Sequence, residues 1–268
     1  NALLNEKYHQ LVLDTHLDFI KAGAEIIVTT TFTTRKSRLR DNKVLDKYEY
    51  LNKKAGEIAK KTKDFFPNVL IAGGLPPQNL TYEVDDREEE EIKENFYSQA
   101  KLLNPYIDFF YFDVLSSVRE FKIAIKSIEE FNKPYLIGAH ISEGTNLPSG
   151  EKITDIIKNI KHKDLMGLIL SCVSPENFEL NLTEIKKLGI PFGFKLNAFL
   201  RTNRKPNHSG TYHKSKTGNP NEFLGVRKDL TPEKMYAFAR KFKDAGATII
   251  GGCCETRPSH IEAFSKLK

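Results

Sequence analysis

The stretch of sequence that decides the fold is Asp244-Ala245-Gly246-Ala247-Thr248-Ile249-Ile250-Gly251-Gly252-Cys253-Cys254. A nearly identical phrase, Lys21-Ala22-Gly23-Ala24-Glu25-Ile26-Ile27, stands near the other end of the chain. In both phrases a glycine is placed to end a helix, and the apolar residues that follow are typical of a buried strand. The chain therefore repeats a helix-then-strand unit.

Short, continuous apolar runs recur along the whole chain. Because they do not alternate with polar residues, they predict strands that are buried on both faces, as in a parallel sheet. Helical spacing of apolar residues separates several of these runs, as in residues 118–128 and 235–242. The predicted strands are residues 25–30, 69–72, 107–112, 134–141, 167–172, 191–196 and 247–251.

The alternation of strands and helices predicts an α/β fold of the (β/α)8 TIM-barrel type. A length of 268 residues suits a single barrel domain, which we expect to cover residues 1–268. A closed barrel of this type has eight strands, whereas seven are visible and the first pattern, in residues 8–20, is helical. We therefore expect the first strand to be missing from this sequence.

Composition and charge restrict the possible partners. The net charge is +6, but the lysines are scattered along predicted helices. The one dense basic run, residues 35–40, has no neighbouring aromatic series of the kind that stacks on bases. No nucleic-acid partner is therefore predicted. No apolar stretch approaches the roughly 18 residues of a membrane span, and residues 1–7 lack a signal-peptide pattern. A cytoplasmic location without a membrane partner is expected, and no nucleotide-binding glycine motif appears.

Cys172, Cys253 and Cys254 are the only cysteines of the chain, and each lies at the carboxyl end of a predicted strand. The carboxyl ends of barrel strands meet on one face, so the three thiols are expected to lie close together. Zinc prefers thiolates, and a catalytic zinc keeps one position open beside three protein ligands. Gly251 and Gly252 are expected to permit the sharp turn that two neighbouring ligands need. Inert buried thiols and a disulfide between Cys253 and Cys254 remain open as alternatives.

The motif Gly251-Gly252-Cys253-Cys254 and the helix start in residues 256–261 resemble the homocysteine S-methyltransferase family. Cys172 resembles the family's isolated cysteine, and residues 16–31 resemble its second strand region. The resemblance implies that the three cysteines bind zinc and that the homocysteine thiol takes the fourth place. It also implies transfer of a methyl group to that thiol, giving methionine, from a small sulfonium or ammonium donor such as S-methylmethionine, S-adenosylmethionine or betaine.

The sequence departs from the family pattern at several points. The family's opening Asp-Gly-Gly segment is absent, Ser171 stands where Asn is usual, and Asp113 replaces a longer Glu that holds the homocysteine amino group. We assign Asp113, Ser171, Thr30 and Asn197 to substrate binding and no catalytic residue beyond the metal site. Asp113 can alternatively cap the helix that begins near Ser116.

The methyl donor is expected to be a cation, because three cysteinates and one Zn²⁺ leave a net negative charge. A sulfonium donor is favoured, since it leaves as a neutral thioether. The long polar stretch of residues 197–222, which includes His208 and His213, is predicted to form the donor side of the site. His140, at another strand end, is interpreted as a structural hydrogen-bonding residue. The alternative function is a non-catalytic zinc-binding barrel that acts as an interaction or sensor protein.

Overall fold

The computed structural model describes residues 2–141, 143–161, 163–200 and 224–268. Most of the long polar stretch, with His208 and His213, lies outside the described residues. Most of the predicted donor side of the site, residues 197–222, therefore lies outside them too.

In the described part of the chain, seven parallel strands form one sheet, in which each strand pairs with its neighbour in sequence. All seven predicted strands are confirmed, with bounds that differ by a few residues. The strands are β1 (Ile26–Val28), β2 (Leu70–Leu75), β3 (Phe109–Leu115), β4 (Tyr135–Ala139), β5 (Leu165–Val173), β6 (Phe192–Leu196) and β7 (Ile249–Gly252).

Helices connect the strands as the repeated unit predicts. Gly23 and Gly246 follow two of these helices with φ values of 103° and 110°, the left-handed conformation in which glycine ends a helix at no steric cost. The side chain of Thr231 caps the start of the helix that Gly246 follows, by accepting a hydrogen bond from the Lys234 amide. The helices are α1 (His9–Lys21), α2 (Lys36–Asp41), α3 (Tyr48–Lys61), α4 (Glu89–Leu103), α5 (Val118–Ile128), α6 (Ile153–Asn159), α7 (Pro175–Lys186), α8 (Pro232–Asp244) and α9 (Pro258–Ser265).

The sheet is strongly curled. Strands β3 and β6 are three places apart, which would separate them by about 14 Å in a flat sheet. Nevertheless, Nζ of Lys195 on β6 lies 2.9 Å from Oδ2 of Asp113 on β3. Helix α9 contacts both α8 and α1, so the helical layer runs on from the last unit to the first. The chain thus forms a curled parallel half-barrel of the TIM type.

Among the described residues, no strand pairs with the outer edge of β1 or of β7. The expected first strand outside this sequence stays a prediction, as does the assignment of the chain to a single domain. No helix in the described part of the chain is long and apolar enough to cross a membrane.

Side chains of successive strand residues point to opposite faces of the sheet, and this alternation builds the site. On β3, Phe110 and Phe112 pack outward in the large core beneath the helices. Tyr111 instead belongs to the inner cluster that fills the half-barrel, and Asp113 follows two residues later on the same face. The polar site residues therefore continue the inward-facing rows at the carboxyl end of the sheet.

Candidate metal centre

The structure brings the three thiols together. The Sγ atoms of Cys172, Cys253 and Cys254 all lie within 4.8 Å of one another. The Sγ atom of Cys254 is 3.8 Å from that of Cys172 and 4.0 Å from that of Cys253. Ligands about 2.3 Å from a tetrahedral zinc ion are separated by about 3.8 Å, so the spacing fits zinc. The alternative disulfide between Cys253 and Cys254 is not formed, because an S–S bond is about 2.05 Å long.

Irregular backbone conformations at the strand ends direct the three cysteine side chains toward one another. Cys172 itself has a φ of 56°, at a point where the pairing of β5 with β6 shifts register. After β7 the chain turns through Glu255, whose φ is 63°, and the Thr256 amide donates to the Cys253 carbonyl at 3.1 Å. Such left-handed conformations are costly for residues with a Cβ and are typical of functional sites.

The prediction that Gly251 and Gly252 form this turn was wrong. Both glycines lie in strand β7, and the positive φ falls on Glu255 instead. Gly252 is needed for close packing, because a Cβ there would lie 2.4 Å from Oγ1 of Thr256. Glycine marks close approach of neighbouring groups as well as turns, and the sequence does not distinguish these uses.

Hydrogen-bond donors surround the sulfur of Cys172. The Tyr82 hydroxyl lies 2.8 Å from Sγ, and Nδ2 of Asn197 lies 3.6 Å from Sγ while donating to the Cys172 carbonyl at 2.6 Å. Hydrogen bonds from Cys253 and Cys254, with a further contribution from Tyr82, hold the pKa of the Cys172 thiol well below its usual value despite burial. Cys172 is therefore the sulfur that is most readily charged.

Tyr82 was not predicted from the sequence, because it lies in a polar loop between β2 and α4 without any periodic pattern. Its ring stacks on that of His140, with centroids 3.9 Å apart, and its backbone φ is 69°. His140 is fully buried and its Nδ1 lies 3.4 Å from the Ser171 carbonyl oxygen, in keeping with its structural interpretation. The stack fixes the tyrosine ring beside the thiols.

Arg35, from the dense basic run, holds the loop of Tyr82 in place. This guanidinium is buried, and it donates to the Asn79 carbonyl and to the Thr81 hydroxyl, both at 3.0 Å. It also donates to the Phe32 carbonyl at 2.6 Å. The first basic residue of the run therefore joins the loop after β1 to the loop after β2.

A second polar group lies inside the half-barrel. Oδ2 of Asp113 accepts from Lys195 at 2.9 Å, and Oδ1 accepts from the Tyr111 hydroxyl at 2.7 Å. The Ser171 hydroxyl donates in turn to the Tyr111 oxygen. The alternative role of Asp113 as a helix cap is wrong, since the Ser117 hydroxyl caps α5 by accepting a hydrogen bond from the Glu120 amide.

The Lys195 side chain was not singled out in the sequence. Burial acts to lower its pKa, but the Asp113 carboxylate prevails and raises the pKa well above the usual value, so the side chain is an ammonium. Its Nζ also lies 4.8 Å from the centre of the Tyr111 ring. Because Lys195 and Asp113 neutralise each other, the pair does not cancel the negative charge expected of the three thiolates.

The predicted substrate residues occupy different surroundings. Asp113, Ser171 and Asn197 lie with the thiols at the carboxyl end of the sheet, and the last two are fully buried in hydrogen bonds to the protein. Thr30 is exposed, and its hydroxyl lies 3.3 Å from Nε2 of His16 on α1. Direct contact of these residues with substrate stays a prediction. An apolar wall beside the thiols was not predicted; it comprises Phe32, Val114, Phe199 and Leu224.

Comparison with known proteins identifies related sequences and folds. A family model described as homocysteine S-methyltransferase matches residues 1–267. Betaine–homocysteine S-methyltransferase 1 of Pongo abelii is 26% identical over 270 residues, covering 97% of this chain and 64% of the relative. Homocysteine S-methyltransferase 1 of Zea mays is 24% identical over 289 residues, covering 96% of this chain and 83% of the relative.

The crystal structure of metallated homocysteine methyltransferase MmuM from Escherichia coli has the same fold. It superposes with a TM-score of 0.78 at 17% identity, covering 99% of this chain and 86% of that one. The chain spans 64% of the length of the betaine–homocysteine enzyme from Pongo abelii.

Proposed function

The chain belongs to the homocysteine S-methyltransferase family, and we propose that it transfers a methyl group from a small cationic donor to the thiol of L-homocysteine, giving methionine. The observation that carries the proposal is the spacing of three free sulfurs, 3.8 and 4.0 Å along two edges of the triad, at the carboxyl end of a TIM-type sheet. Asp113 and Lys195 offer opposite charges on the inner face at that same end.

Zinc fits this donor set, and Cys172, Cys253 and Cys254 would hold it. When bound, the metal supplies the Lewis acidity that makes a thiol a thiolate at neutral pH. Asn197 and Tyr82 hold the sulfur of Cys172 in a fixed position. Cys253 is held from its backbone, because its amide donates to the Leu196 carbonyl at 2.7 Å.

The reaction needs positioning more than proton transfer. The homocysteine thiol releases its proton to solvent, and its sulfur forms a bond to the methyl carbon. The bond from that carbon to the donor heteroatom breaks, and its electron pair stays on the donor. A sulfonium donor departs as a neutral thioether, so no general acid is required. The negative charge of the cysteinates attracts a cationic donor, and the apolar wall limits access of water.

We further propose that residues 197–222 form the donor side of the site. The support is the length of this stretch and its place after β6, at the end of the sheet where the thiols lie. Shortening the chain between Arg204 and Gly218 should weaken use of the methyl donor while zinc content and homocysteine binding stay near wild type. Steady-state kinetics with each substrate varied in turn measures this. An equal loss for both substrates would mean that the stretch is a structural lid.

Two measurements test the activity itself. Reduced protein should hold about one zinc per chain by metal analysis, and it should form methionine from homocysteine with at least one of S-methylmethionine, S-adenosylmethionine and betaine. Cys253→Ala should lose the zinc and the activity while keeping the far-UV circular dichroism of the wild type. Zinc binding without methionine formation from any of these donors would favour the interaction or sensor function instead.

A further inference from the structure

The ion pair of Lys195 and Asp113 stands at the same level of the half-barrel as the thiols. Lys195 pairs in the sheet with Gly251, two residues before Cys253. Asp113 reaches Lys195 across the half-barrel, and both side chains lie near enough to the Cys253 sulfur for a charge there to act on them. Both charges therefore face the space into which the thiols also point.

Folding alone gives little reason to keep this pair. Taking two charges out of water costs several kcal/mol, which their attraction repays only in part, and apolar replacements are often as stable. The pair is also not sealed, since its side chains remain 17% and 10% exposed. A charged pair that lies in the interior but stays partly exposed to solvent is better explained as the binding site of a charged ligand.

Counting partners among the described residues, both side chains can form further hydrogen bonds. Lys195 carries three N–H donors, and its described hydrogen bond to Asp113 uses one of them. The Asp113 carboxylate has about four acceptor positions, of which Lys195 and the Tyr111 hydroxyl occupy two. Each charge can thus bind a second partner without giving up the first.

We propose that Lys195 and Asp113 form a clamp for the zwitterionic end of homocysteine, in which Lys195 donates to the α-carboxylate and Asp113 accepts from the α-ammonium. The inference rests on the proposed function and adds to it the residue that recognises the carboxylate. The ammonium and the carboxylate of an amino acid share one carbon, so a molecule laid beside the pair sets each group against its opposite charge. Binding adds no net charge to the interior, because both pair and ligand are neutral.

Two truncated analogues of homocysteine test the carboxylate contact and the ammonium contact separately. Aminopropanethiol is homocysteine without its carboxylate, and γ-mercaptobutyrate is homocysteine without its amino group. Zinc-loaded wild type should bind homocysteine roughly 10- to 100-fold more tightly than either, as expected for one charge-assisted hydrogen-bonded contact. Isothermal calorimetry measures all three affinities without turnover.

Lys195→Met should weaken homocysteine binding to the level of aminopropanethiol and so abolish that preference. Lys195→Arg should retain part of the preference, because it keeps the cation. Asp113→Asn should instead abolish the preference for homocysteine over γ-mercaptobutyrate. Lys241→Met, which removes a lysine from an exposed ion pair with Glu179 on the outer helices, is the matched control and should bind like wild type.

Zinc content and circular dichroism establish that each variant is folded, and Lys195→Gln replaces Lys195→Met if the latter is not. If wild type binds homocysteine with the expected preferences but both neutral Lys195 variants keep the preference over aminopropanethiol, the clamp is wrong and the proposed function stands. If zinc-loaded wild type does not bind homocysteine, both proposals fail.

Discussion

At the scale of single residues, the hydroxyl of Tyr82 deserves the first experiment because it lies 2.8 Å from the sulfur of Cys172. Hydrogen bonds to ligand atoms orient a metal site, and their loss commonly lowers metal affinity 10- to 100-fold. Tyr82→Phe keeps the ring that stacks on His140 and removes only the hydroxyl. We expect zinc affinity, measured by competition with a chromophoric chelator, to fall by roughly tenfold.

Tyr50→Phe is the control for this substitution, because Tyr50 is exposed on α3. If both variants keep wild-type zinc affinity, the contact between the Tyr82 hydroxyl and Cys172 has no part in metal binding.

Glu120 on α5 predicts a dependence of stability on pH. Burial raises the pKa of this carboxyl from 4.5 to about 8, against the lowering effect of the Ser116 amide; Asp85 raises it further, and Arg87 and Arg35 lower it. Between those two pKa values the folded state holds a proton that the unfolded state has lost. The contribution of Glu120 to stability is therefore greatest below pH 4.5 and falls by about 1.4 kcal/mol for each pH unit up to about 8.

Glu120→Gln should remove this dependence, since the amide is neutral at every pH, and the variant should be the more stable protein above pH 8. Urea unfolding at a series of pH values measures the effect. Glu262→Gln, at an exposed position of α9, is the control and should follow the wild-type curve. Parallel curves for wild type and Glu120→Gln would show that the carboxyl ionises as readily in the fold as in the unfolded chain.

Single residues were predicted unevenly, for a physical reason. The cysteines were found because thiols are rare and each follows an apolar run that predicts a strand. Lys195 and Tyr82 were missed because lysine and tyrosine are common and their partners, Asp113 and Cys172, lie 82 and 90 residues away along the chain. Only the curl of the sheet brings such residues together, and local sequence patterns do not predict that curl.

At the scale of elements, β6 and β7 approach so closely that Gly193 has no room for a side chain. A Cβ there would lie 1.8 Å from the carbonyl oxygen of Ile249, a backbone atom that cannot rotate away. Gly193→Ala should therefore push the two strands apart, cost roughly 1 to 3 kcal/mol of unfolding free energy, and weaken zinc binding, because Asn197 and Cys253 follow these strands. Chemical denaturation and zinc titration measure the two effects.

Gly251→Ala is the matched comparison on the partner strand. Its Cβ would meet Cγ of Lys195 at 3.3 Å, and that flexible side chain can shift by a few tenths of an ångström. We expect a smaller loss of stability than for Gly193→Ala. Equal losses would indicate that the close approach of the two strands is not what Gly193 provides.

The elements themselves were predicted well, since continuous apolar runs and helical spacing follow directly from burial. The helix ends at Gly23 and Gly246 were likewise predicted from local chemistry. The turn after β7 was not, because its left-handed residue is Glu255 and no glycine marks it.

At the scale of the whole molecule, the large core lies between the sheet and the helices, and the thiols belong to a separate, small cluster. Removal of zinc should therefore leave the fold intact and lower only its stability. At free zinc about a hundredfold above the dissociation constant, the ion adds about 2.7 kcal/mol, which corresponds to roughly 5 to 10 °C in Tm. Thermal scans with and without a chelator measure this shift. Loss of the far-UV spectrum at room temperature on chelation would contradict it.

One edge of β7 pairs with no strand among the described residues, and this affects how easily β7 opens locally. All residues of β3 are buried, whereas those of β7 are half-buried and pair, among the described residues, only with β6. Amide hydrogens at such an edge exchange with solvent through small fluctuations that leave the rest of the sheet intact. Two of the three sulfurs directly follow this edge strand. A metal bound there would therefore slow the local opening of β7, and the amide exchange rates of β7 would report occupancy of the site.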